Sequence, residues 1–488
     1  MQGGEKTRGV GACAAQRRFV SCCLPATDRR SNPLPLYPHQ VEGARWLADR
    51  TAALLADEPG LGKTITALVA TKSLQPQDVG CPRVLVLCPT VVLYNWEAEA
   101  ETWLEAPCIQ VVAHGKTTIE PVAEVVIVTH GLLLNAWIRS QLLSASWDVV
   151  IVDEAHGFKS MEAERTTVLY HAQAGVVKAA GRVWLLSGTP CPNNAAELYT
   201  HLRGLDWKRL VPETGGKPME YDEYVRRYCV WEYGLHGIKI TANQRARLPE
   251  LKKRLEGFIL RRKKKDELKN LPPIRFETVH LRPVNLDAAL VALGQDLSKS
   301  VRKELADLER GEDAALTFFD TIKNRTEFAE FRRLCGMAKA QQVVELLERE
   351  LEDGALDKVV VFAHHRAVVD LIAAGLERFG IRTITGASSP VERNRAVASF
   401  QTDARVRVMV SNIVAGGVGV TLTAASDVVF AEQSWVPGEN AQAANRCHRI
   451  GQTERVRVRF TALAGTLDAT ITQALRRKAQ MIQEVLET

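Results

Sequence analysis

The stretch LLADEPGLGKTITAL, residues 54–68, sets Gly62, Lys63 and Thr64 between a strand-like run and a helix-like run. In such a loop the backbone N–H groups and the helix N-terminus suit the β- and γ-phosphates of a nucleotide, with Gly60 and Gly62 allowing close approach. Lys63 supplies charge, and the Thr64 hydroxyl can bind Mg2+. Asp57 stands at the first-glycine position of G-x-x-x-x-G-K-T, and Pro59 removes one loop N–H. A second stretch, VVIVDEAHGFKS at 149–160, ends a strand-like run in two adjacent carboxylates. Ligands bind at the C-terminal ends of parallel strands, which places Asp153 to hold Mg2+ and Glu154 to orient and deprotonate an attacking water.

Further segments carry groups of matching chemistry. In LYPHQVEGARWL, 36–47, the Gln40 amide can read an adenine edge. LLSGTP, 185–190, ends a strand-like run with the small hydroxyls Ser187 and Thr189; with His156 they are candidates for relaying the γ-phosphate state. SNIVAGGVGVTLTAAS, 411–426, is a glycine-containing strand-to-helix turn in which Gly416, Gly417 and Gly419 allow close backbone approach. QAANRCHRIGQ, 442–452, reads as the end of a helix broken at Gly451, so Gln442, Arg446 and Arg449 are expected on one face.

Two stretches of alternating strands and helices must position these groups. Strand candidates in the first are 51–57, 83–89, 109–114, 124–130, 148–154 and 182–188, with helices near 62–74, 92–105 and 132–143. The second offers 358–364, 382–386, 406–412, 426–432 and 456–462, with helices near 366–379, 390–400 and 438–449. Continuous Val/Ile/Leu runs alternating with helices indicate parallel sheets covered on both faces. Residues 206–340 are rich in charge and helix formers and read as helical insertions. At 468–487 an amphipathic helix carries Ile471, Leu475, Ala479, Ile482 and Leu486 on one stripe, with Asp468 as N-cap.

The 488-residue chain is 46% apolar and 25% charged, ordinary for a globular protein. No apolar run approaches the roughly 18–20 residues of a membrane span, and residues 1–33 read as a disordered tail. Ten cysteines show no C-x-x-C pair, which points to reduced thiols. The net charge of +6 is concentrated: residues 245–269 hold eleven Lys/Arg against four Asp/Glu. Such a patch suits a polyanion, and Arg261, Arg262, Lys263, Lys264 and Lys265 are the DNA-binding candidates within it.

Taken together, DEPGLGKT, DEAH, SGTP, FILRRKKKDELKNLPP (258–273) and RCHRIGQT resemble, in order, the motifs of the helicase superfamily 2 ATPases. More specifically they are similar to the Swi/Snf family of double-stranded-DNA translocases, and KVVVFAHHRAVVDLI and VGVTLTAASDVVFAEQSWVPG resemble its annealing-helicase branch. The likeness runs over about 34–487. It implies two tandem RecA-like α/β domains: 34–205 with the ATP site, 341–488 as the helicase C-terminal domain, and 206–340 as insertions carrying a DNA-contacting basic block. ATP, Mg2+ and double-stranded DNA, forked or branched forms included, are the implied cofactors and partner, with DNA-bound proteins as further partners, a monomeric state and no membrane. By the same resemblance Arg446 and Arg449 are arginine fingers with Gln442 nearby, completing a site whose other half holds Lys63, Thr64, Asp153 and Glu154.

Some positions depart from the family pattern: Pro59 replaces a usual methionine, Thr421 and Ser160 stand where asparagines are common, and Ala443-Ala444 replace an acidic pair. Trp435 either touches DNA or packs its loop, and His364-His365 lack partners at metal-ligand spacing. The implied activity is an ATP-driven duplex-DNA translocase. A strand-separating DNA or RNA helicase and a nucleotide-gated binding protein without turnover are the alternatives. The implied location is the nucleoid or cytoplasm for a prokaryotic or viral chain and the nucleus for a eukaryotic one.

Overall fold

A computed structural model of the chain describes residues 26–27, 33–74, 82–172, 174–188, 190–191, 194–213, 215–234, 237–282, 288–301, 325–416 and 420–487. Most of the 1–33 tail lies outside these residues, as do Thr189, Gly417 and Gly419. The chain divides into two compact units, Met1–Arg262 and Lys263–Thr488, and a short antiparallel pair, β1 (Ala26–Thr27) with β2 (Pro33–Leu34), lies near the start of the first.

The first unit holds β3 (Ala52–Leu55), β4 (Val84–Cys88), β5 (Ile109–Val112), β6 (Val125–Thr129), β7 (Trp147–Val152), β8 (Ala180–Leu186) and β11 (Ile259–Leu260). They form one parallel sheet in the order β11-β3-β8-β7-β4-β6-β5. Every residue of β4 and of β6 is buried. Because successive side chains point to opposite faces, unbroken burial means both faces are covered. Each fully buried Val, Leu or Ile contributes about 1.5–3 kcal/mol relative to exposure, so these strands hold firmly the loops leaving their C-terminal ends.

The second unit repeats the plan with β12 (Ile274–Leu281), β13 (Val359–Ala363), β14 (Ile381–Ile384), β15 (Val408–Asn412), β16 (Asp427–Phe430) and β17 (Val456–Leu463). Their order is β12-β17-β16-β13-β15-β14, again all parallel. Helix Pro390–Thr402 starts with a reciprocal cap: Ser389 Oγ accepts from Glu392 N, and Glu392 Oε2 accepts from Ser389 N at 2.7 Å. Two parallel α/β sheets are thus present, and the described residues hold no helix long and apolar enough to cross a membrane.

Several sequence expectations need correcting. Residues 206–340 contain helices but also an antiparallel hairpin, β9 (Cys229–Gly234) with β10 (Gly237–Asn243), and they supply the edge strands β11 and β12 to the two sheets. Those edge strands escaped notice because β11 is two residues long and β12, IRFETVHL, is mostly half-buried and so lacks a continuous apolar run. Helix Thr326–Glu352 runs unbroken through the expected boundary at 340/341, while the division between units falls at 262/263. The last helix is Leu467–Glu487, so Asp468 lies inside its first turn rather than at the N-cap. There its carboxylate accepts from Leu463 N and pairs with the buried Lys339.

Candidate active site

In the first unit the loop after β3 turns through Gly60 and Gly62, both in the left-handed region (φ +97° and +83°). A methyl group at Gly62 would strike the Gln40 amide. Helix Lys63–Lys72 starts at once, so its first-turn N–H groups face the loop. Lys63 Nζ donates to the carbonyl oxygens of Asp57 (2.7 Å) and Glu58 (3.3 Å), curling the side chain back over the loop. Thr64 occupies the first turn. Gln40 Oε1 accepts from Tyr37 N (2.9 Å) and its Nε2 donates to Leu61 O (3.4 Å). The amide expected to read adenine is therefore buried and braces the loop in this conformation.

Asp153 and Glu154 follow β7, as the sequence indicates. Asp153 Oδ2 accepts the indole N–H of Trp96 at 2.9 Å, and Oδ1 accepts Glu154 N at the same distance. Burial, then the adjacent Glu154 charge, push the Asp153 carboxyl up to about 6; the Trp96 hydrogen bond and the Lys63 ammonium oppose the rise. The Asp153 carboxylate and the Thr64 hydroxyl, the latter in the first turn of the helix after the phosphate loop, are hard-oxygen donors of the kind Mg2+ takes, so their chemistry fits that ion. Glu154 has φ +47°, uncommon for a residue with a side chain. His156 Nδ1 lies 3.3 Å from Glu154 Oε2 and 3.3 Å from Ser187 Oγ, just past β8. Since β8 separates β3 from β7, the phosphate loop, Ser187 and the carboxylates emerge from three successive strand ends.

The five basic DNA candidates do not share one environment. Arg262 is buried and pairs with Asp57 through both carboxylate oxygens, and it also donates to His39 O. Arg261 is exposed, yet its Nη1 donates to Ala56 O at 3.1 Å. In the second unit Lys264 is buried and donates to Asn445 Oδ1 (2.6 Å) and to His448 O. Lys263 is half-buried and Lys265 exposed.

Helix Pro437–Ala444 carries Gln442 but ends before both arginines, which corrects the expected helix to 449. Asn445 closes it: its N–H and its side-chain Nδ2 both bond to Ala441 O. Arg446 and Arg449 then lie in turns tied to the 420–425 loop, where Leu422 N donates to Arg446 O (3.0 Å) and Arg449 Nη1 to Val420 O (3.2 Å). Gln452 Nε2 adds a bond to Ala425 O at 2.9 Å. Trp435 is buried against Phe328 and under the Arg332 guanidinium, so it packs its loop. Glu432 accepts from the backbone N–H of His364 and of His365 and sits 2.6 Å from His365 Nδ1, which accounts for that histidine pair.

Sequence reasoning missed Trp96 and the Asp57–Arg262 pair. Trp96 sits in a helical stretch where tryptophan reads as core, and nothing in its spacing reveals an N–H aimed at a carboxylate. Asp57 gave a signal, since a charge in place of a loop glycine asks for a partner, but that partner is 205 residues away.

The SNF2-related domain family matches residues 39–317, and the helicase conserved C-terminal domain family matches residues 338–451. The chain is 31% identical over 462 residues to the Caenorhabditis elegans homolog of SWI/SNF-related matrix-associated actin-dependent regulator of chromatin subfamily A-like protein 1, covering 92% of this chain and 62% of that protein. It is also 31% identical over 486 residues to human DNA annealing helicase and endonuclease ZRANB3, covering 96% of this chain and 42% of that protein. The chain thus spans about half the length of the curated relatives it matches. A solved Sulfolobus solfataricus SWI2/SNF2 ATPase core in complex with dsDNA aligns over 93% of both chains, with 22% identity and a TM-score of 0.43.

Proposed function

The chain belongs to the SNF2-related family, and from that premise we propose that it hydrolyses ATP and uses the cycle to track along double-stranded DNA. Forked or branched DNA and protein–DNA complexes are the structures it would remodel. The carrying observation is the convergence of the phosphate loop, Ser187 and the Asp153–Glu154 pair at neighbouring ends of one parallel sheet. On this reading Gly60, Gly62 and Lys63 cradle the phosphates, while Thr64 and Asp153 would hold Mg2+, which neutralises phosphate charge when bound.

Glu154 takes a proton from water as the water oxygen bonds to the γ-phosphorus. The bond from that phosphorus to the bridging oxygen breaks, and ADP and phosphate leave. Arg446 and Arg449, with Gln442 beside them in sequence, would stabilise the transferring phosphoryl group from the second unit, an effect typically of about 10³–10⁵ in rate. The His156 link between Glu154 and Ser187 supports a relay from the carboxylate to the loop that also carries Thr189. Contact of the basic block with DNA phosphates would be independent of sequence. A monomer acting in the nucleus is the form we infer, the animal origin of the relatives favouring that location over the prokaryotic alternative.

The test is ATP turnover measured with duplex, forked and single-stranded DNA and with RNA, read alongside displacement of a triplex-forming strand. Duplex-stimulated hydrolysis with triplex displacement is the expected result. Stimulation by single strands alone would support a strand-separating helicase, and absence of phosphate release a nucleotide-gated binding protein.

A further inference from the structure

The basic run 261–265 was expected to face a polyanion throughout, yet two of its members are buried and turned inward. Arg262 clasps Asp57, whose own carbonyl oxygen receives the Lys63 ammonium at 2.7 Å. The same peptides are fixed again through the backbone: Arg262 N donates to Asp57 Oδ1 (3.0 Å) and Glu58 N to Arg262 O (3.1 Å). Strand β11 leads directly into this clasp by pairing in parallel with β3. In the other unit Lys264 reaches Asn445 Oδ1 and His448 O, the two points that bracket Arg446 and precede Arg449. His448 Nε2 is held in turn by Pro272 O at 2.7 Å.

We propose that Arg262 and Lys264 are positioning residues, Arg262 for the phosphate loop and Lys264 for the arginine-bearing turn, and that DNA contact in this run falls to its exposed neighbours. The chemistry of the two anchors differs in a useful way. The Arg262 guanidinium forks onto a carboxylate whose main chain is the loop itself, so it sets the height of the Lys63 ammonium above the loop. Lys264 offers three N–H donors to a turn whose acceptors are the Asn445 side-chain amide and the His448 carbonyl, so it fixes the path of the turn on either side of Arg446. A single intervening residue, Lys263, separates the two anchors in sequence, Arg262 serving the first unit's loop and Lys264 the second unit's turn.

The inference rests on reading 57–64 as the nucleotide site, and the experiment keeps the two apart. Three quantities are measured: affinity for a fluorescent Mg-ATP analogue, turnover at saturating ATP and DNA, and the salt slope of duplex binding. The paired change Asp57→Asn with Arg262→Gln leaves no unbalanced buried charge; it is expected to weaken the analogue by about tenfold or more with an unchanged salt slope. Lys264→Met is expected to leave the analogue's affinity intact and lower turnover by about tenfold or more. Asn445→Ala, outside the basic run, should reproduce that split. Lys265→Gln should flatten the salt slope and provides the comparison for a true phosphate contact. The proposal is overturned if the Asp57/Arg262 and Lys264 changes flatten the slope while analogue affinity and saturated turnover stay at wild-type values. Lys63→Ala must lose the analogue; retained binding there would refute the nucleotide-site reading itself.

Discussion

Trp96 donates its indole N–H to Asp153 Oδ2 across 2.9 Å, although the two residues are 57 positions apart in the chain. The bond favours the ionised carboxylate and works against the burial and the Glu154 charge that push Asp153 up to about 6. Trp96→Phe keeps an aromatic body in a fully buried position and deletes only the donor. Asp153 should then hold its proton to a higher pH, so the acid limb of the ATPase profile moves upward at limiting Mg2+. More Mg2+ should also be needed for half-maximal rate. A profile and Mg2+ requirement identical to wild type would show that the bond is incidental.

Glu154→Gln removes the base while keeping size and backbone. ATP binding should persist and turnover should fall by about 10²–10⁴. Equilibrium binding paired with single-turnover hydrolysis separates the two effects, and wild-type turnover would exclude Glu154 as the base.

Arg446→Ala and Arg449→Ala address the proposed contribution of the second unit. Each should leave the affinity of nucleotide for the phosphate loop nearly unchanged and depress turnover by about 10³ or more. A variant that turns over normally would return its arginine to a purely structural role in the 420–425 loop.

Acid should weaken the first unit through its buried histidines. His201 is buried with its Nδ1 2.8 Å from the Tyr170 hydroxyl, and burial lowers its pKa to about 4, as it also does for His130. Both values lie below the ordinary 6.5, so the unfolded chain binds protons first. Their stabilisation is complete above about pH 6.5 and declines as pH falls towards 4, by up to about 1.4 kcal/mol per pH unit for each ring. Urea midpoints of the first unit at pH 7 and pH 5 should differ accordingly, and by less in His201→Phe. Equal midpoints would contradict the neutral buried state.

Much of this architecture could be read before the coordinates, because parallel strands buried on both faces announce themselves as apolar runs; all eleven strand candidates in the two stretches correspond to observed strands. What stayed hidden depends on partners remote in sequence. The edge strand β12 shows no apolar run because one side of it is unpaired and half-exposed. The helix carrying Gln442 ends early because Asn445 bonds back to Ala441, which periodicity alone cannot reveal. Composition gave the basic run its charge but could not separate Arg262 and Lys264, each satisfied indoors, from exposed Lys265.

Glu154 keeps a side chain at a backbone angle, φ +47°, that glycine would adopt more easily. A β-carbon there costs about 1–2 kcal/mol, so Glu154→Gly should melt no earlier than wild type while losing hydrolysis outright. The protein tolerates a standing tension at the tip of β7 because glycine, which alone removes the β-carbon, carries no carboxylate.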